Sequence, residues 1–241
     1  MIVYPAIDLR HGKCVRLAQG RFDRQTVYSD DPVEVARGFA AAGAGWLHVV
    51  DLDGAKHGSA AQGELIRRIA GESGLKVQTG GGIRTEQQIR AQLDGGIARV
   101  VIGSLATGNP ELVKAWLDRF GRDRIVLALD VTANDAGEFR VATQGWQANS
   151  GQSLFAVIDG YGAACRHLLC TDIARDGLLA GANTQLYRTL KRRYPDLAVQ
   201  ASGGVAALAD LAALGTAGVD GVVIGKALYE GRFTLAEALA C

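Results

Sequence analysis

The sequence predicts an α/β fold, a closed (β/α)8 barrel occupying residues 1–241 as a single domain. Three observations carry that expectation: eight short apolar runs, helix-start signals between them, and an internal repeat at about half the chain length. The runs fall at 2–8, 47–51, 75–79, 100–102, 125–130, 167–171, 198–201 and 219–224. They do not alternate with polar residues, as expected of strands buried on both faces in a parallel sheet. Asp31-Pro32-Val33-Glu34 sets a capping carboxylate before a proline at the first helical position. Thr85-Glu86-Gln87-Gln88 spells a capping box, and Asn109-Pro110 repeats the cap-then-proline pattern. Eight strand–helix units without a long linker favour closure over a doubly wound open sheet, the competing arrangement.

The repeat is specific. Val77-Gln78-Thr79-Gly80-Gly81-Gly82-Ile83 returns as Val199-Gln200-Ala201-Ser202-Gly203-Gly204-Val205, 122 residues on. Val100-Val101-Ile102-Gly103 returns as Val222-Val223-Ile224-Gly225, and Ile7-Asp8-Leu9 as Leu129-Asp130-Val131, both at 122. Val50-Asp51-Leu52 matches Thr171-Asp172-Ile173 at 121. Similar strands explain the shared Val and Ile, but not Asp and Gly-Gly at a nearly constant shift. The barrel is therefore expected to consist of two duplicated half-barrels.

Composition excludes several classes. With 26 Lys+Arg against 25 Asp+Glu, the net charge of +1 implies no basic face for nucleic acid. Lys191-Arg192-Arg193 reads as a helix end. No run reaches the 18 or so apolar residues of a membrane span, and residues 1–8 do not read as a cleaved signal. The four cysteines (Cys14, Cys165, Cys170, Cys241) form no C-x-x-C pair, so a reducing cytoplasm is expected. The histidines are scattered singly, and neither a metal nor a cofactor is called for.

In such a barrel the chemistry sits at the C-terminal ends of the strands. Asp8 and Asp130 lie there, four strands apart, facing each other across the mouth. Two opposed carboxylates suit general base and general acid, if their environments set different proton affinities. Glycines follow the other strands. Gly82 with Gly103-Ser104, and Gly204 with Gly225, would offer backbone N–H groups to anions without an intervening Cβ. The alternative is that they merely permit tight turns. Two such cradles on opposite sides of one mouth imply a small molecule with phosphate at both ends. Asp176 is a third carboxylate within reach, in an Asp-Gly turn spelling. Asp51 and Asp53 support the site or remain structural, the latter favoured for Asp53, and His48 reads as a core residue. Two long loops are expected, 10–29 with Arg16, Gln19 and Arg21, and 131–152, a lid carrying Trp146 to stack on a flat ring or to pack the lid down.

These residues resemble a known family. The opening Ala6–Leu9 and Gly12–Leu17, LHVVDLDGA at 47–55, GGGIR at 80–84, TDIARDG at 171–177, SGGV at 202–205 and GKALYEG at 225–231 are similar to the ProFAR isomerases of histidine biosynthesis. The likeness covers essentially the whole chain. It implies a TIM barrel of duplicated halves acting on a bisphosphorylated substrate through an Amadori rearrangement. It implies Asp8 as proton acceptor and Asp130 as donor, with Asp176 the donor in some relatives. Substrate contacts are implied at Arg16, Gln19, Gly82, Arg84, Gly103, Ser104, Trp146, Thr171, Asp176, Gly177, Ser202, Gly203, Gly204 and Gly225. Dual-substrate relatives carry an arginine two residues before the lid tryptophan, where this chain has Gln144, which favours a single substrate. The related cyclase has a different opening. A phosphate-sugar binding barrel without turnover is the competing class, and retention of both aspartates speaks against it. A monomer is expected.

Overall fold

In a computed structural model, which describes residues 1–18, 20–143 and 148–241, the apolar runs pair in one continuous ring. The strands are β1 Ile2–Arg10, β2 Lys13–Ala18, β3 Arg21–Ser29, β4 Trp46–Asp51, β5 Lys76–Gly80 and β6 Arg99–Ile102. The second half holds β7 Ile125–Ala133, β8 Phe139–Thr143, β9 Ala148–Ser153, β10 His167–Asp172, β11 Ala198–Ser202 and β12 Gly221–Ile224. Eight run parallel in the order β1-β4-β5-β6-β7-β10-β11-β12, and β12 pairs β1 to close the barrel. This is the expected (β/α)8 TIM barrel.

The predicted helix starts are present. Asp31 accepts from the N–H groups of Val33 and Glu34 at the head of Pro32–Ala41. Thr85 and Gln88 form a reciprocal capping box on Glu86–Asp94, and Asn109 caps Pro110–Phe120. Lys191, Arg192 and Arg193 close the helix Thr184–Arg193, where cations complement the exposed carbonyls. No helix of the described residues is long and apolar enough to cross a membrane.

Both expected long loops prove to be hairpins, a correction. Strand β1 runs two residues past Asp8 and turns back through His11 and Gly12, whose φ angles are 50° and 76°. Two consecutive left-handed residues are the requirement of a tight two-residue hairpin loop. The β2 strand then pairs antiparallel with β1 and β3, burying Cys14 and Val15. In the second half β7 continues to Ala133, and Asn134 accepts from the N–H groups of Ala136 and Glu138 to turn the chain into β8. Val131 and Val141 are buried on that hairpin. Each half thus carries its hairpin after its first barrel strand.

Inside the ring, Tyr4, Ala6, Val101, Val126, Leu169 and Val223 form an apolar layer with Trp46 and Ala128 packed against it. A buried polar pair crosses the same interior. Gln78 and Gln200, on opposite strands β5 and β11, exchange amide hydrogen bonds of 2.7 and 3.2 Å across the axis. The second amide proton of Gln78 points to His48 Nδ1 at 3.0 Å. Burial, with Arg16 nearby, pulls the His48 imidazole down to about 4, so it stays neutral and accepts there. His48 is a core residue, as its sequence context suggested.

Replacing Gln78 with Leu strands a buried amide on Gln200. Gln78→Leu is expected to destabilise by about 1–3 kcal/mol in urea unfolding, and the Gln78→Leu/Gln200→Leu pair by less than the sum of the two single changes.

Candidate active site

Alternation along each strand sets what faces the mouth. Two residues beyond the apolar layer and its polar neighbours come Asp8 after Ala6, Gly103 after Val101, Asp130 after Ala128, Thr171 after Leu169, Ser202 after Gln200 and Gly225 after Val223. Asp8 on β1 and Asp130 on β7 stand four strands apart in the ring. Thr171 is paired in register with Asp130 and is buried.

Asp8 is held by the neighbouring hairpin. Arg16 Nη1 on β2 donates to Asp8 Oδ2 at 2.8 Å, and both side chains are largely buried. Arg16 Nη2 donates to the Ala6 carbonyl at 3.0 Å, and the guanidinium stacks over the Tyr229 ring, 5.5 Å from its centroid. Burial pushes the Asp8 carboxyl above the usual carboxylate range, against the pull of Arg16. Asp176, after β10, is pushed up to about 6 by burial, opposed by Arg16 and reinforced by the like charges of Asp8 and Asp130. Three carboxylates and one guanidinium therefore share the mouth.

Beside them lies a cavity of about 70 Å³. Asp8, Arg16, Asp176, Gly177, Ser202, Gly203, Gly204 and Gly225 all line it, so eight of the residues singled out in the sequence meet there. Lys226 also lines it and was not singled out as a binding residue; its Nζ donates to the Gly177 carbonyl at 2.9 Å. The signal for it was a lysine directly after the last strand's glycine. Gly82, Arg84, Gly103 and Ser104 follow β5 and β6 and are not walls of this cavity. Arg84 is exposed and lies against Gly58, where a Cβ would overlap its guanidinium. Gln19 and Trp146 lie outside the described residues, as does Gln144.

The glycines divide by what surrounds them. Gly82 and Gly204 have φ of 72° and 87°, and a Cβ on either would overlap a carbonyl oxygen, that of Gly54 in the short helix Leu52–His57 or that of Gly181. Close loop packing requires both. Gly103 has open space where a Cβ would be, and the same position on Gly225 is filled by the Arg16 guanidinium. These two keep room at the mouth.

Asp51 and Asp172, related by the repeat, tie down the loops behind the glycines. Asp51 accepts from the N–H groups of Gly54 and Gln62 at 2.7 and 2.8 Å, and Asp172 from Ala174 N–H and Asn183 Nδ2 at 3.1 and 2.7 Å. Asp53 accepts from the His11 N–H at 2.7 Å and Gln62 Nε2 at 2.6 Å, which anchors the hairpin turn. Asp51 and Asp53 are structural ties.

A family model described as histidine biosynthesis protein matches residues 2–234. The chain is 52% identical over 240 residues to a protein of Elusimicrobium minutum (strain Pei191), covering all of both chains. It is 49% identical over 241 residues to one from Alteromonas mediterranea and 48% identical over 241 residues to one from Vibrio cholerae serotype O1, covering all of this chain and 98% of each relative. All three are named 1-(5-phosphoribosyl)-5-((5-phosphoribosylamino)methylideneamino)imidazole-4-carboxamide isomerase.

Two stability measurements follow from this geometry. Gly204→Ala is expected to destabilise by about 1–3 kcal/mol, whereas Gly103→Ala, pointing into open space, moves the unfolding free energy by less than about 0.5 kcal/mol. Burial pushes the Asp176 carboxyl up to about 6 from its ordinary value of 3.8, so the fold favours its neutral form. That preference is kept in full below the unfolded value and is lost as pH rises through the folded one. Asp176→Asn is therefore expected to stabilise by on the order of 1–3 kcal/mol at pH ~7 and by nothing measurable near pH ~3.

Proposed function

The chain belongs to the histidine biosynthesis protein family, and we propose that it converts ProFAR, the imidazole carboxamide aminoaldose of its relatives' shared name, to the ribulosyl isomer PRFAR. The observation that carries the chemistry is the opposed pair, Asp8 and Asp130, on the ring of residues facing the mouth beside an anion-sized cavity.

The reaction relocates protons without oxidation. The ribose ring oxygen takes a proton as its bond to C1 breaks, and the C1 nitrogen lone pair forms a Schiff base. A base then removes the C2 proton, and that electron pair becomes the C1–C2 double bond of an enol-amine. Loss of the C2 hydroxyl proton and protonation at C1 complete the ketose, with the formula unchanged.

Asp8 is the acceptor at C2, its proton affinity raised by burial on the side of the cavity. Asp130 is the donor to the ring oxygen from the opposite strand. A second assignment gives the donor role to Asp176, supported by its rise to about 6, which leaves it partly protonated near neutrality. One phosphate sits at Ser202, Gly203, Gly204 and Gly225, with Lys226 and Arg16 as counter-charges. The other sits across the mouth at Gly82, Gly103 and Ser104, within reach of Arg84. Thr171 faces the reacting ribose; Gln19 and Trp146, substrate contacts by resemblance, lie outside the described residues. Gln144, in place of an arginine, favours this substrate over phosphoribosylanthranilate. The protein works as a cytoplasmic monomer.

The test is turnover of ProFAR and of phosphoribosylanthranilate by the purified chain, side by side. Activity on the first alone is expected. Asp8→Asn and Asp130→Asn are expected to lower kcat by ~10²–10⁴-fold each while ligand binding is largely kept. Full turnover in Asp130→Asn with collapse in Asp176→Asn transfers the donor role to Asp176, and unchanged turnover in Asp8→Asn overturns the mechanism.

A further inference from the structure

Arg16 stands where two partners compete for it. Its Nη1 pairs with Asp8, while the same guanidinium lies directly on Gly225, in the cavity bounded by Gly203, Gly204 and Lys226. Its Nε is buried and finds no acceptor among the described residues. A buried donor without an acceptor is a standing cost, relieved by any oxygen that enters beside it. Guanidinium matches phosphate with paired parallel hydrogen bonds at least as well as it matches a carboxylate.

We propose that Arg16 is a positioning residue operated by phosphate: a phosphate monoester entering the Gly203–Gly225 cavity draws the guanidinium off Asp8, and the carboxylate becomes an unpaired base only when substrate is seated. This rests on the isomerase assignment and deepens it. Without ligand, Arg16 neutralises Asp8 and occupies part of the phosphate seat. With ligand, Lys226 and Arg16 hold the anion together, and the base acts on the ribose that the phosphate anchors. Idle deprotonation of other molecules at the open mouth is suppressed by the same contact.

The titratable and charged groups gathered around Asp8 are Arg16 and Cys14 on β2, His48 on β4, Asp130 on β7, Asp176 after β10, and Lys226 and Tyr229 after β12. Burial holds Cys14 and Tyr229 protonated and His48 neutral at working pH. Asp130 and Asp176 are like charges. Arg16 is the cation whose contact with Asp8 changes.

The experiment follows the Asp8 carboxyl carbon by NMR across pH in the full chain, with and without saturating inorganic phosphate. Phosphate occupancy is read from phosphorus line broadening. In the wild type, phosphate is expected to raise the Asp8 midpoint by about one pH unit or more. Arg16→Ala is expected to start from a raised midpoint, to respond less than half as much, and to shift the acid limb of its kcat/KM profile upward. Arg16→Lys, with one point charge instead of a planar fork, falls between and serves if the alanine variant does not fold. A wild-type midpoint unmoved by bound phosphate, an equal response in both variants, or no phosphate binding overturns the proposal. ProFAR turnover is measured on the same samples. A phosphate response without turnover sinks the isomerase assignment, whereas turnover without the response sinks only the switch.

Discussion

Everything at the mouth depends on ring closure in one register. Parallel pairing of β12 with β1 and of β7 with β10 makes the sheet continuous, and each strand then presents alternate side chains to the axis. A slip of one residue in β1 would turn Asp8 outward and bring Ile7 or Leu9, both fully buried against the helices, into the cavity. The buried apolar layer around Tyr4, Val101, Val126 and Leu169 thus fixes where the carboxylates point. Packing energy, distributed over many side chains, is what holds two charged groups in opposition.

Charge at the site is managed by the hairpins. Arg16 reaches Asp8 because β2 folds back on β1 through a two-residue turn, and that turn is fastened to the next unit by Asp53. Tyr28, on β3, lies against Tyr229 and donates to Glu230 Oε1 at 2.6 Å, fastening the hairpin on its other flank. The guanidinium is therefore delivered by an element braced on both sides.

Much of this was legible in the sequence. The non-alternating apolar runs and the caps at Asp31, Thr85 and Asn109 reported the strand–helix units, because buried parallel strands and capped helices leave local signatures. The repeat pointed to Gln78 and Gln200, although not to their meeting across the axis, since cross-barrel contact has no local trace. The hairpins were missed for a different reason: Arg10-His11-Gly12-Lys13 lacks the usual Asn-Gly spelling, and His11 adopts its left-handed angle with help from Asp53, far along the chain. Gly82 and Gly204 looked like anion-binding loops. Their positive φ and the carbonyls facing them show a packing demand that a motif alone does not separate from ligand approach.

The Gln78–Gln200 bridge spans the interior one inward-facing position short of Ser202, with His48 braced against it and aromatic and aliphatic side chains packed around it. The barrel is consequently a blind cup. Among the described residues the interior is filled, so reactant and product use the same doorway at the mouth, and the ketose backs out before another aldose can enter. Product lingering there is then, in kinetic terms, a competitor of the next substrate.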